Sequence, residues 1–166
     1  MPALPPILPM PMAARPESIP AAKKIDPLRV PPNSIEAEQA VLGGLMLSSE
    51  AWDKVADRIT EGDFYRRDHA LIFRAIGEMV DRGEPADAVT LGDWFEAQGV
   101  AELVGGVSYV YKLANATPSA SSIGSYARIV REKAQLRRVI DARAAMFADK
   151  SDNEVFDWAT AEALAF

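Results

Sequence analysis

The sequence predicts an all-α fold: a compact multi-helix globular domain followed by a long antiparallel helical hairpin. Three observations predict it. Apolar residues recur at helical spacing in one segment after another, while a single short run alternates as a strand does, and a strand needs a partner. The helical segments are punctuated by glycine, proline and capping side chains. Residues 122–148 contain no proline, and no glycine after Gly124, over a length that only a helix uses.

The elements follow in order. Residues 1–32 hold ten of the twelve prolines and no apolar periodicity, so they read as a disordered or polyproline-like arm. Such an arm is either a docking peptide for a partner or, as we favour, a solvated tail. The globular part spans 33–117. Asn33 is placed to cap a first helix, with Glu36 reaching back as in a capping box. Ile35, Val41, Leu42, Leu45 and Met46 then mark one face of that helix. Gly43 and Gly44 inside it each cost about 1 kcal/mol relative to alanine, so close approach by another helix is expected to compensate. Ser49 caps a second helix carrying Trp52, Val55, Ala56 and Ile59. A third follows Asp68 with Ile72, Phe73, Ile76, Met79 and Val80, and stops at Gly83 and Pro85. Thr90 with Asp93 caps a short fourth bearing Leu91, Trp94 and Phe95, closed by Gly99. The run Val107–Leu113 fits both periods and is read as helix, because a lone strand has nothing to pair with. Pro118 marks the boundary to a hairpin over 118–166. Its first arm is 122–148, its turn Asp149-Lys150, and its second arm starts at a Ser151–Glu154 capping box.

On the first arm Ile123, Tyr126, Ile129, Val130, Leu136, Val139, Ile140, Met146 and Phe147 cover more than one stripe. A helix apolar over so much of its circumference needs packing partners on two sides. A small domain supplies one side; the other points to a second subunit. Tyr126, Ile129, Val130, Leu136, Val139, Ile140, Met146 and Phe147 are therefore the expected oligomer or partner interface.

Composition bounds the function. The chain has 166 residues and a net charge of −6. The arm 1–32 carries +2, so the remainder carries −8. An acidic domain repels phosphate at long range, which argues against strong nucleic-acid binding by itself. There is no cysteine, which excludes disulfides, thiolate zinc sites and cysteine nucleophiles. No apolar run reaches the ~20 residues that cross a bilayer, and the proline-broken start is not a signal peptide. All of this is compatible with a cytoplasmic protein.

Side chains that carry chemistry are few. His69, the one histidine, lies in the first turn of the third helix. General acid–base work would require a positioned carboxylate or nucleophile, which spacing alone does not supply, so it reads as structural. Asp81, Glu84 and Asp87 surround a turn, and acids there are solvated or cap a backbone; Asp87 before Thr90 has the look of a cap. Neither Gly43-Gly44 nor Gly105-Gly106 is followed by the lysine and hydroxyl residue of a phosphate-binding loop. No catalytic, cofactor or metal residue is expected. The strongest remaining signal is basic: Arg128, Arg131, Lys133, Arg137, Arg138 and Arg143 stand against Glu132 and Asp141. Arg128, Arg131, Arg137 and Arg138 are possible polar partner contacts. The favoured alternative is that this face meets the acidic second arm with Asp152, Glu154, Asp157 and Glu162.

The stretch Ser34-Ile35-Glu36-Ala37-Glu38-Gln39-Ala40-Val41-Leu42-Gly43-Gly44-Leu45-Met46-Leu47 after Pro31-Pro32-Asn33 resembles the opening of the N-terminal domain of bacterial DnaB-type replicative DNA helicases. The likeness runs on through Asp63-Phe64-Tyr65, His69, Ile72-Phe73, Thr90-Leu91, Gly105-Gly106, Tyr109, Asn115-Ala116-Thr117-Pro118-Ser119-Ala120 and Tyr126-Ala127-Arg128-Ile129-Val130-Arg131-Glu132-Lys133, covering about 31–166. The resemblance implies the N-terminal collar of a hexameric ring, assembled as a trimer of dimers. It implies docking of the C-terminal helical domain of primase and an influence on a helicase loader, with DNA met only through the full-length protein and no membrane. ATP and Mg belong, by the same resemblance, to the parent helicase's motor, which lies C-terminal to this region and is absent from this chain. The rival reading, a stand-alone helical DNA-binding regulator, would show a basic recognition helix after a tight turn, and the −8 balance argues against it.

Overall fold

The computed structural model describes residues 2–6, 30–117 and 119–148, and the chain divides into two units, Met1–Val30 and Pro31–Phe166. In the first unit residues 2–6 have no regular secondary structure and are exposed. In the second, every regular element among the described residues is helical: α1 Ile35–Leu47, α2 Trp52–Val55, α3 Arg67–Asp81, α4 Ala88–Ala97, α5 Val107–Ala116 and α6 Ile123–Ala148. Short 3-10 turns at Ser49–Ala51, Glu61–Asp63 and Ala101–Val104 join them. The second hairpin arm, with its Asp149-Lys150 turn and Ser151–Glu154 cap, lies outside the described residues.

The first helix is the axle of the fold. It packs on α3, α5 and α6, and Ala37, Glu38 and all of 41–46 are buried. Its apolar residues therefore serve several faces rather than one. The glycine pair makes this possible. A Cβ on Gly43 would lie 1.9 Å from Thr117 Oγ1 and 2.5 Å from the Leu113 carbonyl oxygen, and one on Gly44 would lie 3.1 Å from Ile123 Cδ1. The close approach expected of these glycines is thus made by α5 and α6, and it offsets their poor helix propensity.

Several boundaries differ from expectation. The cap of α1 is Ser34, in extended conformation with φ −144° and ψ 94°, its hydroxyl accepting from Ala37 N–H at 3.3 Å. The Asn33 side chain instead donates to the Pro31 carbonyl at 2.9 Å, and Glu36 is exposed with no capping box. The second helix is only one turn long. Ser49 sits in the 3-10 turn before it, and the chain has left the helix by Ile59, which is 1% exposed all the same because a core position needs no helix. The fourth helix starts earlier than a Thr90 cap would place it. Its cap is Asp87, whose carboxylate accepts from Val89 and Thr90 N–H at 2.8 and 3.0 Å. The expected stops after α3 and α4 are present, as Gly83 and Gly99 adopt φ of +71° and +68°.

The core brings together Leu42 and Leu45 of α1, Ile72, Phe73 and Ile76 of α3, Leu91 and Phe95 of α4, Val110 and Leu113 of α5, and Ile123, Ala127 and Val130 of α6. Phe73 is flanked by Trp52 and Phe64 with ring centroids 5.1 and 5.0 Å away. Only the first half of α6 belongs to this core; from Gln135 to Ala148 every residue but Arg137 is exposed. No described helix is long and apolar enough to cross a membrane.

Candidate interaction surface

Beneath the surface, a buried polar chain fixes three helices to one another. Glu38 of α1 and His69 of α3 are 1% and 0% exposed. His69 Nδ1 lies 2.7 Å from Glu38 Oε2, and its Nε2 lies 2.7 Å from the hydroxyl of Tyr109 on α5. Glu38 also accepts from the Tyr65 N–H at 2.6 Å, and Gln39 Nε2 donates to the Tyr109 hydroxyl at 3.2 Å. One arrangement of protons satisfies every atom: Nδ1–H donates to the carboxylate, and the tyrosine hydroxyl donates to Nε2. His69 thus has the carboxylate that its sequence spacing did not reveal, 31 residues upstream. A carboxylate, an imidazole and a hydroxyl in line have the form of a proton relay. Yet the imidazole is fully enclosed, so the arrangement ties α1, α3 and α5 together.

At the entrance to α3, Asp68 accepts from Arg66 Nε and from the His69 N–H, both at 2.9 Å. Burial alone would raise the Asp68 pKa, but the Arg66 hydrogen bond and charge, with the backbone N–H of His69, outweigh it and hold the carboxyl below its ordinary 3.8. A carboxyl with a depressed folded-state pKa contributes stability that is present above the unfolded value and is lost as pH falls through the folded one. Stability should therefore drop on acidification below about pH 4. Asp68→Asn should flatten that limb while lowering stability at pH 7. Urea titrations of both proteins at pH 7 and pH 3 check this.

The basic face of α6 has an unexpected acid. Asp63, 0% exposed, receives Arg131 Nη1 at 3.2 Å on one carboxylate oxygen and Arg138 on the other. The Thr60 N–H donates to it at 2.9 Å. Arg137 donates to the Asp63 carbonyl and, at 2.7 Å, to the Pro32 carbonyl, and its guanidinium stands 5.7 Å from the Tyr65 ring centroid. Three of the four arginines expected as partner contacts are thus engaged within the domain. Arg128 is exposed and pairs only loosely with Glu132 at 3.9 Å. The acidic second arm, the other expected counterpart, lies outside the described residues.

The expected apolar interface divides along the helix rather than around it. Val130, 1% exposed, belongs to the core and is withdrawn from any partner surface. Tyr126 and Ile129 are half-buried and pack against that core. Leu136, Val139, Ile140, Met146 and Phe147 are 51%, 65%, 52%, 72% and 64% exposed. Five large apolar side chains in the open on about three turns of one helix form a surface suited to association. Lone exposed apolar residues such as Leu103, Val89 and Tyr111 elsewhere need no such reading.

Neither glycine pair offers a place for a nucleotide. The Gly43-Gly44 backbone is closed off by Thr117 and Ile123, and Gly105-Gly106 leads into α5 through Val107 and Ser108 with no lysine to meet a phosphate. Among the described residues no cluster of histidine, aspartate and glutamate is arranged to hold a metal.

Comparison with known proteins agrees with the geometry. The family model described as DnaB-like helicase N terminal domain matches residues 30–132. The chain is 45% identical over 129 residues to the replicative DNA helicase DnaB of Haemophilus influenzae, covering 78% of this chain and 28% of that one. It is 45% identical over 114 residues to the DnaB of Mycobacterium leprae, covering 69% and 19%. The chain therefore spans less than a third of these relatives' length. It also matches the crystal structure of the N-terminal domain of DnaB helicase from Mycobacterium tuberculosis, with a TM-score of 0.71, 40% identity, and coverage of 82% of this chain and 100% of that one.

Proposed function

Because the chain belongs to the family of DnaB-like helicase N-terminal domains, we propose that it is the collar module of a replicative DNA helicase, a scaffold for ring assembly and primase docking. In this reading the hairpins, together with the globular parts, join copies into dimers and three dimers into a hexameric ring. The C-terminal helical domain of primase docks on the assembled collar, and a helicase loader uses the same region. ATP hydrolysis with Mg, and DNA unwinding, are work for the rest of the full-length protein, acting in the cytoplasm.

The observation that carries the proposal is the row Leu136, Val139, Ile140, Met146 and Phe147 standing in solvent on a helix whose other half is core. Ile140→Asp or Leu136→Asp would place a charge in the contact, at a cost of several kcal/mol. Sedimentation should show smaller species with unchanged helicity by circular dichroism. Unaltered assembly in both variants would remove the hairpin from the interface. For primase, calorimetry with the cognate C-terminal domain should give a modest, micromolar affinity, about −8 kcal/mol. It should be matched by residues 31–166 without the arm and lost with Ile140→Asp, since the docking surface spans neighbouring subunits.

A further inference from the structure

Midway along α6 the helix leaves the globular part, and at that point it is fastened. Its last buried residue is Ala134, 2% exposed. Arg131, Arg137 and Arg138 bracket this exit, and all three reach back to Asp63. Asp63 is shut off from solvent while Arg131 and Arg138 are 42% and 52% exposed, so the anchor is fixed and the tethers run outward. Arg137 adds the Pro32 carbonyl, joining the chain just before α1 to the same point. Below Asp63 the strap continues inward, since the Tyr65 N–H donates to Glu38 and so to the His69 network.

We propose that Asp63 and its three arginines are positioning residues that set the direction in which the exposed half of α6 leaves the domain, and so aim the self-association face without touching a partner. The charged groups converge from a turn and a helix that share no other polar bond, and charge-assisted hydrogen bonds of this kind fix geometry as well as proximity. The lever is long. Ten residues from Arg138 to Ala148 extend about 15 Å at ~1.5 Å per residue, so a tilt of ~10° at the clamp displaces the tip by on the order of 3 Å. Two apolar helix faces that must interdigitate do not tolerate such a displacement. The inference rests on the hairpin-mediated assembly proposed above.

The absence of cysteine from the sequence allows a clean test. Spin labels on Glu96→Cys and Ala145→Cys, both exposed positions on α4 and α6, report the direction of the lever by pulsed electron paramagnetic resonance. Doubly labelled full chain is diluted into unlabelled chain so that only distances within one copy are read. Asp63→Asn keeps an acceptor for the Thr60 N–H but removes the charge. Arg138→Gln loosens the clamp from its solvent side and leaves the interior intact. Each should broaden the distance distribution or move its mean by about 3 Å, and weaken self-association at least tenfold in sedimentation equilibrium, with far-ultraviolet circular dichroism unchanged. An unmoved distribution in both variants overturns the clamp. A shifted distribution with undiminished association overturns its role in assembly, provided Ile140→Asp abolishes association. If Ile140→Asp leaves association intact, the hairpin reading fails, and the distance distribution still decides whether Asp63 aims the helix.

Discussion

Gly43→Ala should destabilise the domain by about 3 kcal/mol, the upper end of the overpacking range, in spite of a gain of about 1 kcal/mol in helix propensity. The added methyl would sit 2.5 Å from the Leu113 carbonyl oxygen and 2.7 Å from Thr117 Cβ, so it meets the backbone of the facing helix as well as its side chains. Backbone cannot rotate out of the way; α1 and α5 must separate, and the packing around both loosens. For a unit of this size the melting temperature should fall by roughly 10 °C. Gly44→Ala should behave differently. Its methyl meets the tip of Ile123 at 3.1 Å, a side-chain end that can give by a few tenths of an ångström, and the propensity gain then brings the net effect close to zero. Calorimetric scans of the two single variants check the contrast. Equal shifts in both would show that the two helices are not as close at Gly43 as the structure has them.

Glu38→Ala is expected to be comparably damaging, by about 3 kcal/mol, because it leaves buried donors without their acceptor. Among the described residues the carboxylate is the acceptor for His69 Nδ1 and for the Tyr65 and Arg66 N–H groups, and Glu38 and His69 are both buried. Glu38→Gln retains the shape and one of the two acceptor oxygens that serve the three donors, and should lose clearly less. Urea denaturation of the two variants gives the ordering. A Glu38→Ala protein as stable as the Gln variant would mean that the His69 chain contributes no stability.

The particular residues show what a sequence can and cannot disclose. α3 and α6 were legible because their apolar period is long and their ends are marked, at Gly83 for one and after Pro118 for the other. The glycine pair was legible because two poor helix formers in mid-helix require compensation, although nothing in the pattern said that Gly43 is far more constrained than Gly44. The caps placed at Asn33 and Thr90 were off by one and three residues, although Asp87 itself had the look of a cap and is one. Asn33 and Ser34 are both competent, and the choice falls on whichever has the extended backbone, while Asp87 takes α4 three residues before Thr90. The polar networks stayed hidden for a different reason. His69 finds its partners 31 and 40 positions away in sequence, and Arg138 finds Asp63 at 75. Such pairings follow from helix packing, which charge patterning does not encode. Val130 was assigned to the surface by periodicity alone, which cannot tell which of two apolar stripes the core takes.

The central place of α1 sets the order in which this domain can form. The first described helix packs against the later ones: Gly44 faces Ile123, Gln39 bonds Tyr109, and Pro32 is held by Arg137 at a separation of 105 residues. Each of these contacts closes a long loop, and the entropy of that closure is met before the contact is gained. An emerging chain that ends before α5 and α6 has an apolar α1 with Val41, Leu42, Leu45 and Met46 and, of the helices it packs on, only α3 to cover them. Synthesis must therefore run through roughly residue 134 before the core can close, and until then the nascent chain presents the surface that chaperones bind and that drives aggregation.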